Sequence, residues 1–211
     1  MVKSVWVLPP ADLSATMAQP GKGGSHPERL GSVNDRDLDA AVDEILNRHA
    51  TVGLAVGVIR DGRVGYFRGH GVADVASGTP IAVDTVFRIA SITKTFTAVA
   101  VMQLVERGLV DLDTPASDYL RSFRLVPTDT GWRPASIRHL LTHTAGLGEL
   151  AHPGGMFRPD FGESWEAGRP LPSLAEFYGG RLGVYAEPGT RFVYNNHGPA
   201  TLGQLVEDVT G

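Results

Sequence analysis

Ser91-Ile92-Thr93-Lys94 pairs a hydroxyl with an amine at a spacing that suits nucleophilic catalysis. On a helix, three residues turn about 300° and rise about 4.5 Å, so the amine lies one turn along on the serine's own face. A serine hydroxyl is a poor nucleophile until a base removes its proton. Lysine can act as that base only when neutral, which near pH 7 needs a drop of roughly 3 units from its reference pKa, about 4 kcal/mol. Burial and a second positive group nearby both push that way. The first turn of a helix also offers free N–H groups and partial positive charge to a developing oxyanion. Among the 19 Lys+Arg, only Lys3, Lys22 and Lys94 are lysine. A compositional bias towards arginine explains most of that ratio but not the lysine at 94. A lysine can lose its proton when buried, and an arginine cannot.

A second group of chemically capable residues is Tyr194-Asn195-Asn196. In an extended segment, residues two apart point to one side. Tyr194 could then shuttle a proton to a leaving group, and Asn196 could hold a substrate amide or Lys94. The plainer reading is a core tyrosine beside a turn-forming asparagine pair. His139 and His143 have the i, i+4 spacing of helical zinc sites, but Leu-Leu-Thr separates them and no Glu is present to act as base. A metal site on this pair is therefore not expected. Phe157, Phe161 and Trp165 are equally suited to lining a substrate pocket and to anchoring a long loop. Asp111, Asp113 and Asp118 read as solvated or capping residues.

The elements that must position these groups follow from periodicity and turn chemistry. Asn34 or Asp35 can cap a helix to about His49, with Leu38, Ala41, Val42, Ile45 and Leu46 as its apolar stripe. Residues 52–60 and 63–70 read as two strands joined at Asp61-Gly62, and the glycines at 53, 57, 65, 69 and 71 suggest close backbone packing. Residues 85–90 read as extended. A helix from Ser91 to Arg107, stopped by Gly108, is apolar nearly all round and is expected to be buried. Ser136 caps a short helix ending near His143. Residues 148–172 form a long loop, and Ser173 with Glu176 makes a capping box for a further short helix. Pro188-Gly189 is a turn, residues 191–194 look extended, and 198–209 are helical. Residues 1–33 have no apolar period and read as a disordered tail.

Composition narrows the function classes. The 211 residues are 42% hydrophobic and 20% charged, as in an ordinary globular protein. A net charge of −4 gives no basic footprint for nucleic acid. The absence of cysteine excludes disulfides, thiolate metal sites and cysteine catalysis. No stretch is long enough to span a bilayer, and no signal peptide is recognisable, so the compartment reads as cytoplasmic or unknown.

The segment 87–98, Phe-Arg-Ile-Ala-Ser-Ile-Thr-Lys-Thr-Phe-Thr-Ala, resembles the active-site segment of the serine β-lactamase family, which groups class C β-lactamases, D-alanyl-D-alanine carboxypeptidases and related esterases. His139-Leu140-Leu141-Thr142-His143-Thr144-Ala145-Gly146-Leu147 is similar to that family's recurrent stretch, and Tyr194-Asn195-Asn196 with its following helix to its Tyr-x-Asn element. The likeness covers about residues 36–211, with the three matches in family order. It implies an α+β, β-lactamase/transpeptidase-like fold: an antiparallel sheet flanked by helices plus a helical subdomain, here roughly 91–190. It implies an acyl-enzyme on Ser91, with Lys94 and Tyr194 handling protons and Asn196 orienting a small-molecule or peptide-like substrate. β-Lactams, D-amino-acid peptides and esters are all in range, and the likeness implies a structural role for the stretch holding His139 and His143 and no metal or organic cofactor.

The family's third motif, Lys/His-x-Gly on a later strand, has no counterpart between Asn196 and Gly211. The C-terminal sheet strands are accordingly expected to be missing, leaving the 52–70 hairpin as a marginal sheet with one open edge. Three outcomes follow from the sequence: a catalytic hydrolase, a non-catalytic remnant or peptide-binding module, and a plain carboxylesterase. The chain is therefore expected to be a fragment or truncated product that alone is weakly stable, associated with itself through the open edge, or completed by another chain.

Overall fold

Two left-handed residues, Asp61 (φ 50°) and Gly62 (φ 74°), turn the chain tightly enough to pair Arg60 with Arg63. That turn matches the right-handed twist of strands and sets the hairpin register. In the computed structural model, which describes residues 29–30, 35–149 and 170–211, the hairpin strands are β2 (Gly53–Arg60) and β3 (Arg63–Asp74). Two further strands join them: β1 (Arg29–Leu30) and β4 (Thr79–Pro80), both antiparallel to β3. The sheet therefore has four strands in the order β1-β3-β2, with β4 on the far part of β3, rather than the bare hairpin expected. Strand β1 also falls inside the stretch read as a disordered tail. Neither short strand carries enough residues to show a period of two. Among the described residues β2 pairs only with β3, so its other edge is open. A Cβ at Gly71 (φ 68°) would collide with the Val52 carbonyl oxygen, so close backbone approach requires glycine there.

The chain divides into two compact units, residues 1–92 and 93–211. In the first, helix α1 (Arg36–Arg48) is tied to β3 by polar contacts. The Tyr66 hydroxyl donates to Asp39 Oδ1 at 2.9 Å, and Arg68 Nη1 donates to the Asp39 carbonyl at 2.8 Å. Arg68 also pairs with Asp43. Asp35 stands at the N-cap but makes no side-chain cap bond; its carboxylate pairs with Arg60 Nη2 at 2.7 Å instead. Of the expected apolar stripe of α1 only Val42 is buried. A small core of Ala55, Phe67 and Ile81 backs the sheet.

The second unit begins with α2 (Thr93–Glu106). Its end follows from Gly108 (φ 69°): the Leu109 N–H reaches the Leu104 carbonyl and the Gly108 N–H the Val105 carbonyl, both at 2.9 Å. Helix α3 (Ile137–Leu141) starts at a capping box between Ser136 and His139, and α4 (Leu174–Phe177) at one between Ser173 and Glu176. Helix α5 (His197–Thr210) closes the described chain and packs on α2 and α3. Val101, Leu104, Ile137, Leu140, Leu202 and Leu205 meet in the core of this unit.

Two expectations are corrected here. The helical subdomain also holds a parallel pair, β5 (Arg124–Pro127) and β6 (Arg181–Val184). And α2 is not buried all round: Val101 and Leu104 are buried, while Phe96, Val99 and Met102 are 57%, 58% and 45% exposed. Those three recur every third residue and so form a separate ridge, whereas only the Val101–Leu104 side meets the core of the unit. Asp208 of α5 ties down the loop before β5, accepting from the Arg121 and Ser122 N–H groups and from Ser122 Oγ. Burial pushes its carboxyl up, but these hydrogen bonds win and hold it below the usual carboxylate range.

Candidate active site

Lys94 sits at the second residue of α2, so its direction is set by the helix whose inner face meets the core. It is half-buried and is the one lysine among the described residues. Its Nζ donates to Asn196 Oδ1 at 2.7 Å and lies 5.0 Å from the centre of the Tyr194 ring. Residues 102 positions apart in sequence are thus brought into hydrogen-bond contact.

The asparagine pair divides its labour. Asn195 is buried; its Nδ2 donates to the Val193 carbonyl and its Oδ1 accepts the Gly198 N–H, each at 2.8 Å. It therefore satisfies one of the orphan donors in the first turn of α5. Asn196 makes no cap bond and turns its amide to Lys94. The tripeptide thus spends Asn195 on the backbone and turns Asn196 to Lys94, while Tyr194, 46% exposed, is not the core tyrosine of the plainer reading.

Ser91 is exposed and belongs to a 3-10 turn, Ala90–Ile92, whose last residue directly precedes α2. The helix expected to begin at Ser91 is thus 3-10 in its first residues. Ala90, immediately before Ser91, is held at φ 46°, a left-handed conformation that costs an L residue roughly 1–2 kcal/mol. Such strain clusters at functional positions. Nothing in the sequence signals it, since alanine is an ordinary helix residue.

The two histidines do not form a helical pair. Helix α3 ends at Leu141, and His143 lies past it at φ 56°. His139 Nδ1 accepts the Ser136 N–H at 3.1 Å, and burial, with Arg133 next, holds this imidazole below its ordinary value. The His143 ring lies against Tyr194, with centroids 4.6 Å apart, and its Nδ1 faces the Asn195 N–H at 3.4 Å. Burial first, and then the charge of Lys94, holds His143 below its ordinary value as well. Sequence reasoning passed over His143 as a structural residue; its only signal was its place in the recurrent stretch.

A cleft of about 400 Å³ is lined by Gly146, Leu147, Glu149, Tyr185, Arg191 and Val193, among others. Lys94, Tyr194 and Asn196 are not among its lining residues, so the chemistry is read from the lysine cluster and not from this concavity. Phe157, Phe161 and Trp165 lie outside the described residues. No group of three or more metal-ligating side chains occurs among the described residues. Nor is any described helix long and apolar enough to cross a membrane.

The fold is that of the β-lactamase/transpeptidase class. A solved structure of EstCE1, "a hydrolase with promiscuous acyltransferase activity", matches at a TM-score of 0.67 and 31% identity, over 84% of this chain and 48% of that one. The beta-lactamase family model matches residues 38–211, and the chain belongs to that family. Esterase EstB of Burkholderia gladioli is 44% identical over 111 residues, which are 53% of this chain and 28% of that protein. Penicillin-binding protein 4 of Amycolatopsis lactamdurans is 33% identical over 171 residues, 80% of this chain and 41% of its own length. The chain spans less than half the length of each of these proteins.

Proposed function

We propose that the protein is a serine hydrolase that works through an acyl-enzyme on Ser91. The observation that carries this reading is the 2.7 Å contact of Lys94 Nζ with Asn196 Oδ1 beside the Tyr194 ring, which joins two of the motifs at one amine. In the first step the Ser91 hydroxyl proton passes to the Lys94–Tyr194 pair as Oγ bonds to the substrate carbonyl carbon. The bond to the leaving alcohol or amine breaks, and the leaving group carries the proton away. Water then attacks the ester, releasing the acid and restoring the hydroxyl. Asn196 orients the substrate while its oxygen holds the lysine.

Esters are the favoured substrates. The likeness to Esterase EstB and to the EstCE1 hydrolase supports this choice. The contrary reading, a non-catalytic binding module, is separated by one experiment. The protein is treated with a fluorophosphonate and, separately, with a β-lactam, and the adduct is located by peptide mass analysis. A single adduct on the peptide holding Ser91 is expected; an unmodified protein after long exposure to both would reject catalysis by this chain.

The reading extends to self-association. The open edge of β2 presents backbone groups with no strand partner among the described residues, and pairing between copies would satisfy them. Sedimentation velocity should show a species heavier than the 22.5 kDa chain as concentration rises. A single 22.5 kDa boundary at every concentration would remove this part of the proposal.

A further inference from the structure

The segment that carries Tyr194 and Asn196 has no regular secondary structure between Arg191 and Asn195, so something outside it must fix its position. His143 contacts it in four ways. Its carbonyl accepts the Val193 N–H at 2.9 Å. Its Nδ1 faces the Asn195 N–H at 3.4 Å. Its ring stands edge-on to Phe192 at 5.8 Å and tilts over Tyr194 at 4.6 Å. The left-handed backbone at His143 (φ 56°) lets one residue offer both its carbonyl and its ring to the same segment.

We infer that His143 is the positioning residue for Tyr194 and Asn196, and that it does this only with Nδ1 unprotonated. The inference rests on the catalytic reading above for its effect on rate, but not for its geometry. An Nδ1 that faces an N–H must be an acceptor, which leaves the ring proton of the neutral form on Nε2. Protonating Nδ1 sets two donors against each other and adds a second cation near Lys94. Among the described residues, the titratable and charged groups that face His143 are Lys94 from α2 and Tyr194 from the segment itself. His139, four residues earlier in α3, is turned to Ser136. The direction is consistent: burial and Lys94 already disfavour the charged imidazole. The clamp is intact above about pH 6.5, the ordinary histidine value, and is lost as pH falls through the lower native value.

The test uses two variants and two readouts. His143→Asn keeps an acceptor and tolerates the left-handed backbone, but does not titrate. His143→Ala keeps neither the acceptor nor the ring. The first readout is the NMR titration of the Asn195 amide and the Tyr194 ring signals against the His143 imidazole in the unmodified protein. The second is the pH profile of fluorophosphonate labelling. Both signals should move with the His143 midpoint. Labelling should lose its acid limb at that midpoint in His143→Asn, with a plateau rate below that of the unmodified protein because the ring contacts are gone, and fall roughly 100-fold in His143→Ala at every pH. The inference is overturned if the Asn195 and Tyr194 signals ignore the His143 titration, if His143→Asn retains the same acid limb, or if His143→Ala labels like the unmodified protein. If the unmodified protein is not labelled at all, the catalytic reading fails and the NMR titration alone decides the role of His143.

Discussion

Lys94→Arg should slow acylation of Ser91 by about three orders of magnitude, equivalent to about 4 kcal/mol in the barrier. The substitution separates charge from basicity. A guanidinium can still donate to Asn196 Oδ1 and lie near the Tyr194 ring, so the cluster keeps a cation and a donor at its centre. What it lacks is a neutral form at any working pH, so in the proposed mechanism it can take no share of the serine proton. The measurement is the second-order rate of fluorophosphonate labelling, followed by intact mass between pH 7 and 9. Raising the pH should not rescue the variant. Labelling within tenfold of the unmodified protein would mean that Lys94 only supplies positive charge, and the proton would then have to leave by another route.

Gly146→Ala should be the most damaging single methyl in the second unit. Gly146 has φ 75°, and a Cβ there would overlap the Ala186 carbonyl oxygen. Its own carbonyl accepts the Tyr185 N–H at 2.8 Å, so the segment after α3 and the end of β6 are locked together at this residue. Adding the left-handed penalty to the cost of forcing the backbones apart gives roughly 2–5 kcal/mol. For a chain of this size that is a fall in Tm of roughly 5–15 °C. Gly108→Ala provides the comparison. Gly108 has nearly the same backbone angle, φ 69°, but a Cβ there would meet nothing within 4 Å. It should lose only the conformational part, about 1 kcal/mol. Differential scanning calorimetry of the two variants isolates the steric term, and equal losses would show that Gly146 is a turn residue and nothing more.

What could be read from the chain beforehand was what depends on near neighbours. The Asp61-Gly62 turn, the Ser136 cap, the Ser173–Glu176 box and the stop at Gly108 are all written within four residues. The contact of Lys94 with Asn196 beside Tyr194 was legible for a related reason: the three are chemically distinctive and fall in two short motifs. What escaped depends on distant partners. Strands β5 and β6 are four residues each and pair across more than fifty positions, too short to show a period. The split between Asn195 and Asn196 is invisible in a dipeptide of identical residues, because only the start of α5 decides which amide is spent on the backbone. His143 was hidden in the same way. Its importance comes from a backbone angle and a docked segment fifty residues on, neither of which its own neighbours encode.

The ridge of Phe96, Val99 and Met102 along α2 has a practical meaning for anyone following the protein's unfolding. Reporter dyes of the anilinonaphthalene type brighten on contact with oily surface, and their fluorescence is commonly taken as a sign of a loosened interior. Here three greasy side chains stand on the outside of an intact helix, so such a dye has somewhere to sit while tertiary packing is undisturbed. Brightness at low temperature would then mark a native surface, and loss of near-ultraviolet circular dichroism becomes the better clock for melting.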